Sequence, residues 1–205
     1  MTEKERLEEA KEAFRKRGHK ATLLQNTDRY TIIDWRNGNG TGEYYVNFII
    51  DKKRGSLIIS GDLGDCIATW YNKCSVHNIA YYIKSVDYFV GKFQCTSDDY
   101  VYDEDEIIEE VKNQLEDIGI EHTEEFEDDF ENFKYELSDC VNKDGFFPNM
   151  VTTVSEFLDK YLGDYWWESS NTWGRSISKK VYLWVAGLNM AVEQLDKEGI
   201  LTKED

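Results

Sequence analysis

RYTIIDWRNGNGTGEYYVNFIIDKKRGSLIIS, residues 29–60, holds three runs of β-branched and aromatic side chains separated by turn formers. The composition predicts strands at 29–35, 43–50 and 56–60. Arg36–Gly42 reads as a glycine-rich loop and Asp51–Gly55 as a tight turn. Connections this short join antiparallel neighbours, because a parallel pair needs a crossover of roughly a dozen residues or more. A further strand at Ala21–Gln25 precedes the stretch, so the first part of the chain is expected to form an antiparallel meander.

Working outward, residues 2–17 read as a helix. Thr2 and Glu5 fit a capping box, Leu7, Ala10 and Phe14 share one face, and Gly18 follows as a stop. Beyond the meander, Ser60–Cys66 reads as a loop, Val76–Ile83 as a short helix and Asp87–Cys95 as a further strand or extended segment. The rest is mainly helical. Ile107, Ile108, Val111, Leu115 and Ile118 make one apolar stripe, and Phe126, Phe130, Phe133, Leu137 and Val141 make another. Helices are expected over Val151–Leu162 and Ser178–Leu195. The expected class is α+β: a small antiparallel β-meander with an N-terminal helix and a C-terminal helical half. The expected division is 1–97 for the helix and sheet and 98–205 for the helical half, in one compact domain.

The chain of 205 residues carries a net charge of −17, with four cysteines and one proline. From Asp98 to Asp139 there are 19 acidic residues and two lysines, so this segment holds all of the excess and the remainder is balanced. A surface charged only for solubility would spread its acids more evenly. Glu106, Glu109, Glu110, Glu116 and Asp117 fall outside the first stripe. Glu124, Glu125, Glu127, Asp128, Asp129, Glu131 and Glu136 fall outside the second. Carboxylates four residues apart on a helix lie roughly 6 Å from one another, comparable with successive phosphates of a nucleic-acid strand, and they repel. Two readings follow: a solvated helical hairpin, or a surface for a basic partner such as a nucleic-acid-binding groove. Direct nucleic-acid binding by this face is not expected.

No run of about 18 apolar residues occurs and the N-terminus has no apolar signal-like core, so neither a membrane span nor a secretory signal is expected. Sparse cysteines point to a reducing, cytoplasmic setting. Gly61-Asp62-Leu63-Gly64-Asp65 has the spacing of a metallophosphatase block, but His19, His77 and His122 stand in no companion block; a turn capped by aspartates is the simpler account. Cys74 and His77, with Cys66 and Cys95, are candidate zinc ligands at irregular spacing. Phosphate-loop, dinucleotide and nucleophile-elbow patterns do not occur, so no catalytic residue, metal or cofactor is expected. Trp166, Trp167 and Trp173 sit in a loop-rich segment and read either as a lid over the core or as a binding platform.

Gly61–Asn72, Phe93–Asp98, and Trp173–Arg175 with Val181–Ala191 resemble segments of uncharacterised proteins carried by phages and integrated elements of low-GC Gram-positive bacteria. The resemblance covers most of the chain and transfers no functional residue. It implies a setting in a host bacterial cytoplasm. By class, small acidic proteins of such elements resemble anti-CRISPR and other anti-defence inhibitors. The expectation is therefore a non-enzymatic inhibitor whose acidic helices, with Trp166, Trp167 and Trp173, contact a basic nucleic-acid-binding host protein, a CRISPR effector nuclease. The alternatives are a metal-dependent enzyme using Asp62 and Asp65, and a phage structural or assembly protein.

Overall fold

The computed structural model describes residues 2–39, 41–97, 99–141, 150–170 and 172–202. Gly40 of the glycine-rich loop, Asp98 and Asn171 of the aromatic segment lie outside the described residues. The fold is α+β, with an N-terminal helix, a six-stranded antiparallel sheet and a C-terminal helical half. Two compact units divide the chain: residues 1–99 with 178–205, and residues 100–177. The last helix therefore groups with the sheet, and the unit boundary differs from the sequence division at 97/98.

In the first unit the strands run in chain order β1 (His19–Asn26), β2 (Tyr30–Asn37), β3 (Val46–Asp51), β4 (Ser56–Gly61), β5 (Cys66–Thr69) and β6 (Phe93–Thr96), every neighbour antiparallel. Alternation puts Ile33, Trp35, Val46, Phe48, Ile50, Leu57, Ile59 and Ala68 into the core. Over that face lies α8 (Lys179–Lys197), which packs against β1, β2 and β3 and against α1 (Glu3–Lys16), α2 (Val76–Tyr82) and α3 (Val86–Val90). Burial runs almost all round α8, from Val181 through Leu188 and on to Ala191, Val192 and Leu195. Helix and sheet approach closely at Gly187. A Cβ there would stand 3.3 Å from Phe48 Cζ and from Trp35 Cδ1, and 3.4 Å from Phe14 Cε2.

The Thr2–Glu5 capping box of α1 forms as expected. Three differences from the sequence reading stand out. The third strand begins at Val46, not Glu43, because the chain turns at Gly42–Tyr45 with Tyr44 at φ 58°. The loop after β4 is shorter than expected and Cys66 opens β5. The 87–95 segment is not a strand throughout; α3 occupies Val86–Val90, burying Val86, Phe89 and Val90 on one helical face, before β6 begins.

The second unit has a two-stranded antiparallel ribbon, β7 (Tyr100–Tyr102) with β8 (Arg175–Ile177), at its two chain ends. Between them lie α4 (Glu104–Asp117), α5 (Glu124–Cys140), α6 (Thr152–Leu162) and the short α7 (Trp167–Ser170). Their core is aromatic: Phe126, Phe130 and Phe133 stack successively at 5.7 and 5.8 Å, and Phe157 of α6 meets Phe133 at 4.7 Å. Ile107, Val111, Leu115 and Leu137 complete it. Ile118, expected on the α4 stripe, is 56% exposed past the end of that helix. Among the described residues no helix is long and apolar enough to cross a membrane.

The Gly187 contact yields a test of the first unit. Gly187→Val should overpack the α8–sheet interface and lower the unfolding free energy by about 1–3 kcal/mol, read by denaturant titration. An unchanged midpoint would show that the interface is looser than its geometry.

Candidate functional site

The acidic helices use part of their charge structurally. Asp103 caps α4 through the Glu106 N–H at 3.1 Å, and Thr123 caps α5 through the Phe126 N–H at 3.1 Å. Glu104, Asp105 and Glu106 fill the first turn of α4; Glu124, Glu125 and Glu127 fill that of α5. Carboxylates there meet the positive end of the helix dipole and stabilise it. Glu116 and Asp117 close α4, and Glu136 and Asp139 stand near the end of α5, with no basic residue in either last turn. At that end negative charge opposes the dipole.

The twelve expected interface carboxylates divide by environment. Lys160 of α6 donates to Glu125 at 2.6 Å and to Asp129 at 2.7 Å, and the Tyr161 hydroxyl donates to Asp129 at 2.8 Å. Lys160, with Tyr161 beside it, holds the Asp129 carboxyl below the usual carboxylate range, and Asp129 and Glu125 keep the lysine protonated well above its own. Glu131 pairs with Lys134, and Glu127 lies 2.7 Å from His122 Nδ1. Glu106, Glu109, Glu116, Asp117, Glu124 and Asp128 are exposed, with no ion-pair partner among the described residues.

Glu110 departs from the expectation of a solvated carboxylate. It is half-buried, its Oε2 has no hydrogen-bond partner, and burial raises its pKa while the Gly174 backbone draws it partly back. It lies beside the turn where Gly174, at φ 61°, accepts from the Asp103 N–H at 2.9 Å. A Cβ on Gly174 would stand 2.4 Å from Asp103 O. Glu136 is half-buried as well.

The tryptophans do not act together as a platform. Trp166 and Trp173 are 8% and 2% exposed in the helical core, and Trp166 Nε1 donates to Asp159 at 2.7 Å. Trp167, 51% exposed, is the one of the three left with area to offer a partner.

In the first unit the Asp62 and Asp65 region is a turn. Asp62 accepts from the Tyr44 N–H at 2.8 Å, and the Asp65 N–H donates to Ser97 Oγ at 3.1 Å. Cys66 and Cys74 are buried, and burial pushes the Cys66 thiol up to about 12. His77 instead lies 2.9 Å from Asp196. Among the described residues no group of three or more His, Cys, Asp or Glu side chains is placed to hold a metal.

Two features escaped the sequence reading. The role of Lys160 depends on α6 packing against α5, which no local pattern encodes. The burial of Glu110 has a faint sequence signal, since it stands three residues beyond Ile107 at the edge of the apolar stripe. Comparison with protein families, curated proteins and solved structures finds no match to this chain.

Glu110 gives a pH test. A carboxyl whose pKa is raised by folding binds its proton more tightly in the native state, so its contribution to stability falls as pH rises through the raised value. Glu110→Gln should therefore be more stable than the parent at neutral pH, and the gap should close below the ordinary glutamate value of 4.5. Thermal unfolding followed across that range checks both the sign and the closure.

Proposed function

We propose that the exposed carboxylates of α4 and α5 bind a basic nucleic-acid-binding groove, and that the protein is a non-enzymatic anti-defence inhibitor of anti-CRISPR type acting on a CRISPR effector nuclease. The observation that carries this reading is the placement of Glu116 and Asp117. Together with Glu106, Glu109, Glu124 and Asp128 they are exposed without ion-pair partners among the described residues, yet Glu116 and Asp117 close a helix whose dipole they oppose. Acids in the first turns have a stabilising role, and Glu125 and Asp129 have Lys160. Folding leaves Glu116 and Asp117 without either account. Like charges at helical spacing cost a few tenths of a kcal/mol per pair. A cationic groove would recover that cost on binding, and the acidic field would raise the association rate by roughly ten- to a thousandfold at low salt.

The test is a titration of the full chain against purified CRISPR effector complexes from low-GC Gram-positive bacteria, reading target-DNA binding and cleavage. Inhibition competitive with DNA and weakened by salt is expected. Reversing Glu106, Glu109, Glu116, Glu124 and Asp128 to lysine should cut the association rate by about tenfold or more while the far-ultraviolet circular dichroism is kept. A folded variant of this kind that still inhibits would overturn the role of the acidic face. Absence of inhibition across the panel would overturn the choice of target.

A further inference from the structure

The first unit has a polar cleft of about 710 Å³ remote in character from the acidic helices. Its wall carries Lys52 and Lys53 from the β3–β4 turn and Lys73 from the segment after β5, against one carboxylate, Asp28. None of the three lysines is in an ion pair among the described residues. Lys52 Nζ donates to Asn26 Oδ1 at 3.1 Å. In a chain with 41 acids and 24 bases, a concavity lined by three lysines and one carboxylate, with none of the lysines ion-paired among the described residues, is a departure from the composition around it.

The frame that presents these lysines is fixed. The Cys74 N–H donates to Lys52 O at 3.0 Å and the Trp70 N–H to Gly55 O at 2.8 Å, so the segment bearing Lys73 is bonded to the turn bearing Lys52 and Lys53. Gly55 has φ 61°, and a Cβ there would fall 1.8 Å from Asn72 O, so the two backbones meet only because this residue is glycine. Asp51 accepts from the Lys53 and Arg54 N–H groups at 3.1 Å each and is pinned by Arg29 at 3.1 Å. Burial pushes the Asp51 carboxyl up, but the Arg29 guanidinium and the backbone N–H groups of Arg54 and Lys53 outweigh it and hold the carboxyl below its usual value.

From this geometry we infer that the Lys52–Lys53–Lys73 cleft binds a small phosphate-bearing anion, a phosphomonoester or oligophosphate. Each ammonium supplies three donors and a full charge, which suits phosphate oxygens. The Thr27 and Ser75 hydroxyls add little, because Thr27 Oγ1 already donates to Tyr30 O and Ser75 Oγ to Asn78 Oδ1. Among the described residues no aromatic side chain lines the cleft, so recognition rests on the phosphate groups and not on a stacked base. The volume lies within the usual range for small-ligand sites, roughly 300–1,000 Å³. The site is built from residues of the first unit alone, so the inference stands whether or not the acidic helices bind a groove.

Isothermal titration of the full chain with inorganic phosphate, pyrophosphate and tripolyphosphate, at matched ionic strength, tests this. Saturable binding that tightens with the number of phosphates is expected. Lys53→Gln and Lys73→Gln should each weaken tripolyphosphate binding roughly tenfold. The control substitutions Lys20→Gln and Lys84→Gln, outside the cleft, should leave it unchanged. Absence of saturable binding, or an equal loss in the controls, would overturn the site. Single-stranded oligonucleotides form a second arm: affinity that grows with strand length well beyond that for tripolyphosphate would overturn the small anion in favour of a nucleic-acid backbone.

Discussion

The contact between α8 and the inner face of the sheet governs the first unit. Trp35 and Phe48 of the sheet and Phe14 of α1, its ring edge-on to Trp35, converge on one point of α8, where Gly187 lets the helix backbone approach them. A side chain at 187 would lift the helix and open gaps beneath Leu183, Trp184 and Leu188, where close packing supplies the dispersion contacts. The contact is also long in sequence. Strands from the first hundred residues wait for a helix that begins at Lys179, so loop closure must precede burial of the sheet. The 78 residues between them form a unit with its own core, and the β7–β8 ribbon brings the two ends of that insertion together. An insertion whose ends meet is the kind a folded host tolerates, since it leaves the host backbone in place.

Inside the second unit, aromatic packing offsets what the charge costs. The Phe126–Phe130–Phe133 stack with Phe157 buries large apolar area on α5 and α6, at about 0.5–1.5 kcal/mol per aromatic pair beyond burial itself. Against that, like-charge neighbours cost tenths of a kcal/mol each. The unit can thus keep carboxylates that contribute nothing to folding. Position separates the useful from the costly ones. First-turn acids favour the dipole, those near α6 meet Lys160, and Glu116 and Asp117 have neither benefit.

Much of the fold was legible because the β-meander is locally encoded. The β-branched and aromatic runs Tyr30–Trp35 and Val46–Ile50, with turn formers at Asp51–Gly55, specify both strand and connection. Legibility failed where a segment is short or its composition ambiguous. Cys66–Thr69 is a four-residue strand, too brief for a period to show. Val86–Val90 is β-branched and aromatic, yet its apolar residues recur at helical spacing, and burial of Val86, Phe89 and Val90 decides for helix. Ser178–Leu195 was recognised as a helix, but membership of the sheet unit rests on tertiary packing. For the candidate surface, the exposed faces of α4 and α5 followed from the stripes. The burial of Trp166, Trp173 and Glu110 did not, since each depends on which element lies opposite.

The segregation of charge has a consequence for the basic side chains. Acids mixed along the whole chain would stand near Lys53 and Lys73 and neutralise them, as Glu8 does Arg15 and Asp51 does Arg29. With the excess acid confined to residues 98–139, the remainder of the chain is balanced, and three lysines gather in one concavity without an ion pair among the described residues. Screening at physiological salt acts over about 8 Å, so each surface responds chiefly to the charges near it. Confining the excess acid to one segment is therefore what allows one strongly anionic chain to carry a cluster of lysines in its first unit as well as a cluster of carboxylates in its second.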